Sequence, residues 1–567
     1  MTRNDETASA PLLHVRGLRV NFARPSGAPI EAVRDLNFDV TAGEIVALVG
    51  ESGSGKSVTA RALVGLAGAR ASVSADALTL RTAGATHDLR ARTEREWRRL
   101  RGREIGFVLQ DALVSLDPLR RIGREIAEPL ITHRLASRSD LGARVEALLA
   151  RAGIADPGWR AAQYPHELSG GLRQRALIAS ALAAEPRLLI ADEPTTALDA
   201  SVQQHVLGVF QDLAREGHGI LLITHDLSVV ARIAHRVAVM HQGRIVETGA
   251  TQEVLAAPRA DYTRALLAAI PTAAHRGRWL SQLNAHRPPP RQSTLPPPSQ
   301  APVLEIRRVS QAFTRPDGQR LQAVDDVSLR IDEGHTLGIV GESGSGKTTL
   351  GKIALALRAP DSGLVLLRNQ PWSTLAEPAR RPLRPFIQTI SQDPLGTFDP
   401  QLDIASLIEQ PLRAHGQLSA EARRARVLEL LAQVGLEPGL LHRLPRALSG
   451  GQRQRVSIAQ ALASDPRLLV CDEPVSALDV STQAQVLDLL IELQSRLGLA
   501  MLFISHDLGV VQHMSHHIAV MKDGRIVETG TTDQVFSAPR HAYTRTLLST
   551  VAQLPRPAPA PDRALTS

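Results

Sequence analysis

A single cysteine, Cys471, stands in 567 residues. It can form neither an internal disulfide nor a cysteine-built metal centre, which points to a reducing compartment. Its surroundings, RLLVCDE, read as a buried strand. Long apolar runs are missing too: no stretch reaches the roughly 18 to 20 residues that cross a bilayer. The start MTRNDETASAPLL lacks the basic-then-apolar layout of a secretory signal, so a cytosolic chain is expected. Lysine is nearly absent, with four residues (Lys56, Lys347, Lys352, Lys522) among 65 basic ones. Aromatic residues make up 3% of the chain, and no dense basic block is interleaved with them. The net charge of +8 therefore reads as a bias toward arginine rather than as a nucleic-acid surface. Any lysine that the chain retains is informative.

What is present is ordinary in composition and repeated in order. Hydrophobic residues at 43% and charged residues at 22% are globular values, and the length exceeds what one core supports. GESGSGK occurs at Gly50–Lys56 and again at Gly341–Lys347, an offset of 291. LSGG recurs from Leu168 to Leu448, DEP from Asp192 to Asp472, and RIVETG from Arg244 to Arg525, with offsets of 280, 280 and 281. A unit of about 250 residues is written twice. Between the copies HRPPPRQSTLPPPSQAP, from His286 to Pro302, reads as an extended linker that can span roughly 50 Å. The expected division is a first domain over 1–280, a linker over 281–302, a second domain over 303–554, and a disordered tail over 555–567.

Within each copy, short apolar runs alternate with longer helical patterns. EIVALVG, RLLIADE and GILLITHD are matched by TLGIVG, RLLVCDE and AMLFISHD. Nearly continuous apolar strands are expected where helices cover both faces of a parallel sheet, so each half is read as α/β.

Three pairs of stretches carry chemistry. GESGSGKS (Gly50, Glu51, Ser52, Gly53, Ser54, Gly55, Lys56, Ser57) and GESGSGKT (Gly341, Glu342, Ser343, Gly344, Ser345, Gly346, Lys347, Thr348) follow a strand and open a helix, the context of a phosphate-binding loop. Backbone N–H groups and the helix N-terminus favour phosphate. Lys56 and Lys347 would reach the β and γ phosphates of ATP, and Ser57 and Thr348 would give a hydroxyl to Mg²⁺. Next, LLIADEP and LLVCDEP put an acid pair at a strand end. Asp192 and Asp472 would hold the Mg²⁺ shell, while Glu193 and Glu473 would orient or deprotonate the attacking water. After a further strand, His225 and His506 are read as γ-phosphate contacts.

LSGGLRQR and LSGGQRQR lie between each loop and its acid pair. Small residues at a helix start expose free N–H groups, a second clamp for a γ-phosphate. With this phrase the chain resembles the nucleotide-binding subunits of ATP-binding cassette (ABC) transporters over nearly its whole length. The resemblance implies two tandem P-loop NTPase domains, each a RecA-like core with a helical subdomain (111–167 and 393–447) and an antiparallel β subdomain. It implies that Ser169, Gly170 and Gly171, or Ser449, Gly450 and Gly451, clamp the nucleotide held by the opposite domain, the two domains pairing head to tail. Gln110 and Gln392 would join the metal site and link it to a membrane partner. Asp199 and Asp479 would sit at the domain contact. Phe22 and Phe313, each 28 residues before its loop, fall where adenine would stack.

APRADYTRALLAAIP and APRHAYTRTLLSTV, holding two of the three tyrosines, Tyr262 and Tyr543, resemble the C-terminal signature of the peptide and nickel importer subfamily. Its two usual ATPase subunits would here be fused. Some members carry an iron-sulfur cysteine cluster near this point, and none is expected here. The partners implied are two transmembrane permease subunits and a periplasmic solute-binding protein, with no nucleic acid. The implied place is the cytoplasmic face of the inner membrane. The competing reading is a soluble twin-cassette ATPase acting on ribosomes or nucleic acid. One letter separates the two signatures, Leu172 against Gln452. The expectation is that both sites hydrolyse ATP and that Leu172 trades a polar contact near the ribose for packing.

Overall fold

The computed structural model describes residues 10–24, 27–82, 84–110, 115–195, 200–272, 275–281, 284, 287, 302–314, 320–415 and 418–549. Asp199, the proline-rich stretch from 288 to 301 and the tail beyond 549 lie outside the described residues. Contacts divide the chain into two compact units, the first ending at Leu267 and the second spanning Ala268–Val551.

Each unit is built around a six-stranded sheet. In the first unit its order is Arg244–Ala250, Arg236–His241, Ile45–Val49, Gly219–Thr224, Leu188–Asp192, Ile105–Val108. All neighbours are parallel except the Arg236–His241/Arg244–Ala250 hairpin. The second unit repeats it: Arg525–Thr531, His517–Lys522, Thr336–Val340, Ala500–Ile504, Leu468–Asp472, Ile387–Ile390. The side chains of Leu188–Asp192 show why these strands read as unbroken apolar runs. Leu188 and Ile190 enter a core shared with an antiparallel sheet, whereas Leu189 and Ala191 enter a core shared with helices. With both faces covered, alternation in polarity has no reason to appear.

The antiparallel sheet pairs Leu13–Phe22 with Ile30–Val40, Ala71–Ser74 and Ala77–Arg81. Its counterpart pairs Leu304–Thr314 with Arg320–Ile331 and Ser362–Leu367. Helices fill the stretch between strand Ile105–Val108 and the LSGG phrase: Ile122–Thr132, Leu141–Arg151 and Pro157–Ala161. In the second unit Ile404–His415 and Ala420–Gln433 take the same place. Cys471 is fully buried in its strand, and burial followed by the Asp472 charge pushes its thiol up to about 12. It is a small hydrophobe here, not a reactive group.

The sequence drew the domain boundary at 280, and the contacts draw it at Leu267. Asp488 supplies the physical reason. It is fully buried in helix Val480–Leu497 and accepts hydrogen bonds from the backbone N–H groups of Leu280 (2.9 Å) and Ser281 (3.0 Å) and from the Asn284 amide (3.0 Å). Arg287 pairs with Glu492, Arg276 pairs with Asp533, and Leu280 enters the second unit's core. A buried carboxylate needs donors, and this one draws them from the segment that precedes the proline-rich stretch.

Candidate active site

The strands Ile45–Val49 and Thr336–Val340 each deliver the chain into a phosphate loop. Gly50 admits no side chain, because a Cβ there would lie 2.1 Å from the Met240 carbonyl oxygen. Gly55 caps the following helix at φ 105°, a left-handed conformation that favours glycine. Gly341 and Gly346 repeat both constraints against Met521 and Ala323. The two loop lysines, Lys56 and Lys347, are buried. Lys56 Nζ donates to the carbonyls of Gly50 and Glu51, each at 2.7 Å, and Lys347 Nζ to those of Gly341 (2.8 Å) and Glu342 (2.7 Å).

Opposite each loop, the acid pair ends its strand. Ser57 Oγ donates to Asp192 Oδ1 at 3.0 Å, and Thr348 Oγ1 to Asp472 Oδ1 at 3.3 Å. Burial raises Asp192 to about 6, the Ser57 hydrogen bond only partly opposing it and the Glu193 charge adding to it. Asp472 is raised for the same reasons, burial first and Glu473 second. Among the described residues, Asp192 Oδ2 is buried without a hydrogen-bond partner. A carboxylate oxygen left in this state beside a hydroxyl fits an oxygen-binding cation such as Mg²⁺.

The next residue turns sharply. Glu193 and Glu473 adopt φ 49° and 48°, left-handed values that non-glycine residues hold only when their surroundings fix them. Here their N–H groups bond to the carbonyls of Ile223 and Ile504 in the adjacent strands. Each carboxylate then meets two other residues singled out in the sequence, a glutamine expected at the metal and a histidine expected at the γ-phosphate. Gln110 Nε2 donates to Glu193 Oε2 and Gln392 Nε2 to Glu473 Oε2, both at 3.1 Å. His225 Nδ1 lies 3.3 Å from Glu193 Oε1, and His506 Nδ1 lies 3.1 Å from Glu473 Oε2. Burial would raise Glu473, yet the hydrogen bond and charge of His506 carry it below the usual carboxylate range. The histidines move the other way: burial disfavours their charge, but the Glu193 and Glu473 contacts raise both above their ordinary value.

Lysine, hydroxyl, acid pair, glutamine and histidine are thus brought together in each unit. The signature residues are placed at a helix start. Ser169 caps Gly170–Leu182 through its Oγ and the Leu172 N–H, and Ser449 caps Gly450–Leu462 through the Gln452 N–H. Gln452 Oε1 also accepts from Ser449 N at 3.0 Å, closing a capping box. Leu172 has no acceptor to return and packs against the helical core instead. Asp479 caps helix Val480–Leu497. Phe22 is half-buried against the antiparallel-sheet core, while Phe313, at the matching place, lies under the Arg358 guanidinium at 4.2 Å.

Two contacts had no assigned role in the sequence. The hydroxyls of Tyr262 and Tyr543 accept from the N–H groups of Glu51 and Glu342, both at 3.1 Å. The available signal was that two of three tyrosines occupy one repeated place.

The family model described as ABC transporter matches residues 33–196 and 324–476. A second, described as Oligopeptide/dipeptide transporter, C-terminal region, matches 246–295 and 527–565. The chain is 41% identical over 568 residues to the glutathione import ATP-binding protein GsiA of Salmonella choleraesuis (strain SC-B67), covering 97% of this chain and 91% of the relative. It is 41% identical over 586 residues to the protein of the same name from Escherichia coli (strain K12), covering 100% and 94%.

Proposed function

The chain belongs to the ABC transporter family and is an ABC-type ATPase, and from that premise we propose that it energises import of peptides or a related small solute such as glutathione through two separate permease subunits. The observation that carries this reading is the oligopeptide/dipeptide C-terminal region, matched once after each cassette. Among the described residues no helix is long and apolar enough to cross a membrane, and in this reading the membrane path belongs to partner subunits. Leu119, 85% exposed beyond Gln110, supports a docking face on the helical part. In this reading the chain sits on the cytoplasmic side of the inner membrane, and a periplasmic binding protein delivers the solute. The ribosome or nucleic-acid alternative has no feature in its favour.

The chemistry assigned to the residues follows from their contacts. Lys56 and Lys347 leave the loop carbonyls to neutralise phosphate, exchanging neutral acceptors for charged ones. Asp192 with Ser57, and Asp472 with Thr348, would hold Mg²⁺, Gln110 and Gln392 completing the set; when bound, the ion neutralises charge on the phosphates. Glu193 and Glu473 orient the attacking water and accept its proton, with His225 and His506 holding each carboxylate in place. Ser169–Gly171 and Ser449–Gly451 supply helix N-terminal N–H groups to the nucleotide of the opposite cassette, and Phe22 and Phe313 stack the adenine.

Co-expression with the two permeases is the test. The chain should co-purify with them from membranes, and its ATPase activity should rise when binding protein loaded with peptide or glutathione is added to proteoliposomes. Recovery with ribosomes and without permeases would overturn the reading.

Both sites are proposed to turn over. The bond that Gln452 makes and Leu172 lacks is the return bond of its own helix cap. A capping contact contributes on the order of 1 kcal/mol. Leu172→Gln is therefore expected to stabilise the first unit by at most about that amount and to change ATP turnover less than about twofold. A tenfold rise in steady-state ATPase rate would show instead that Leu172 impairs a site.

A further inference from the structure

Two repeated phrases remain without a task after the active site is assembled: RIVETG, and the APR…Y stretch that follows it. In both units they form one connected piece. The Glu247 carboxylate accepts from the N–H groups of Arg259 (2.7 Å) and Ala260 (3.1 Å), and Glu528 accepts from those of Arg540 (2.8 Å) and His541 (3.0 Å). Each glutamate thereby pins the start of a short helix, Asp261–Ala268 or Ala542–Ser549, to the last strand of the sheet. The second residue of each helix is the tyrosine.

The phenol reaches a particular peptide unit. Glu51 N–H and Gly50 C=O belong to the same planar group. Tyr262 holds the N–H at 3.1 Å, while the C=O on the other side accepts from Lys56 Nζ at 2.7 Å. Fixing one edge of a planar peptide aims the other. The second unit repeats this with Tyr543 on Glu342 N–H (3.1 Å) and Lys347 on Gly341 C=O (2.8 Å). Each ring is itself supported by the end of a neighbouring strand. His241 lies 4.0 Å from the Tyr262 ring centroid, and Lys522, one of the four lysines, lies 4.9 Å from that of Tyr543.

We propose that Tyr262 and Tyr543 are positioning residues for the nucleotide: each presets the Gly–Glu peptide at the mouth of its phosphate loop, and through it the resting place of the loop lysine. The C-terminal region is then a brace for ATP binding in its own cassette. This rests on the reading that both loops bind ATP. Without the phenol, the N–H edge of the peptide loses this anchor and only the lysine on the C=O edge holds it. The loop then has to be ordered when nucleotide arrives, which lowers affinity, while the residues around the water are untouched.

The experiment uses the full-length chain and the double variant Tyr262→Phe/Tyr543→Phe, which keeps both rings against His241 and Lys522. Equilibrium binding of ATP and steady-state hydrolysis are measured, with melting of the nucleotide-free protein as a control. The expected result is a Kd and KM for ATP raised about three- to tenfold, kcat within about twofold, and an unchanged nucleotide-free Tm. ATP affinity equal to wild type, or a loss confined to kcat, would overturn the brace. A wild-type chain that binds no ATP would overturn the underlying reading as well. A wild-type chain that binds ATP normally, beside variants that do the same, would overturn the brace alone.

Discussion

Glu473→Gln is expected to lower turnover at the second phosphate loop by about 10²- to 10⁴-fold, the usual contribution of a general base, while ATP stays bound. Glutamine keeps the shape and preserves contacts to Gln392 and His506, but it cannot accept a proton. The native group can, because the His506 contact holds it ionised despite burial. Glu193→Gln should do the same at the first loop, where Gln110 and His225 make the matching contacts. With both replaced, ATPase activity should vanish and nucleotide should be trapped. The single variants discriminate between the halves. If Glu473→Gln left the rate untouched while Glu193→Gln abolished it, the second loop would be a silent site and the proposal of two working sites would fall. The capping difference at Leu172 argues against that outcome, since a missing return bond within one helix is too small to silence catalysis.

How far these pairings could be read in advance depends on the distance over which the relevant force acts. The loop lysines, their hydroxyls and the acid pairs were legible because glycine spacing and strand ends fix them locally. The sheet was legible because two-sided burial leaves its mark on every strand. Gln110 and Gln392 were different: nothing in FVLQDAL or TISQDPL selects those glutamines, and only the family likeness led to them. The left-handed turn at Glu193 and Glu473 was invisible, because the neighbouring strands hold it, not the local sequence. Tyr262 showed as a repeat without a role, since the N–H it meets lies 211 residues upstream. Gln452 was expected near the ribose, whereas its described bond is to Ser449 in its own helix. Sequence spacing carries helix caps well, and the S-x-x-Q pattern was open to that reading. The family likeness drew attention to the nucleotide instead.

Asp488 is the clearest case of a residue whose meaning depends on a distant segment, and its replacement should have the largest effect on stability. Within VLDLLIEL it looks like a solvated acid on an amphipathic helix. In the fold it is fully buried and satisfies two backbone N–H groups and one amide from the segment around Leu280. Asp488→Ala would strand those donors away from water. Each unsatisfied buried donor costs about 1 to 3 kcal/mol, reduced where the segment can peel off, so a loss of about 3 kcal/mol from the second unit is expected. For a unit spanning Ala268–Val551 that corresponds to a fall in its melting temperature of about 5 °C. Calorimetry should show the transition of the second unit moving and that of the first staying in place, because Gly208 stands at the matching position of the first unit. Trypsin should then cut sooner at Arg276 and Arg278. Asp488→Asn, which keeps one acceptor oxygen but adds a donor among donors, should fall between the two. If neither melting nor cleavage changed in Asp488→Ala, residues 268–287 would be a passive tether. The domain boundary would then belong at 280, where the sequence first drew it.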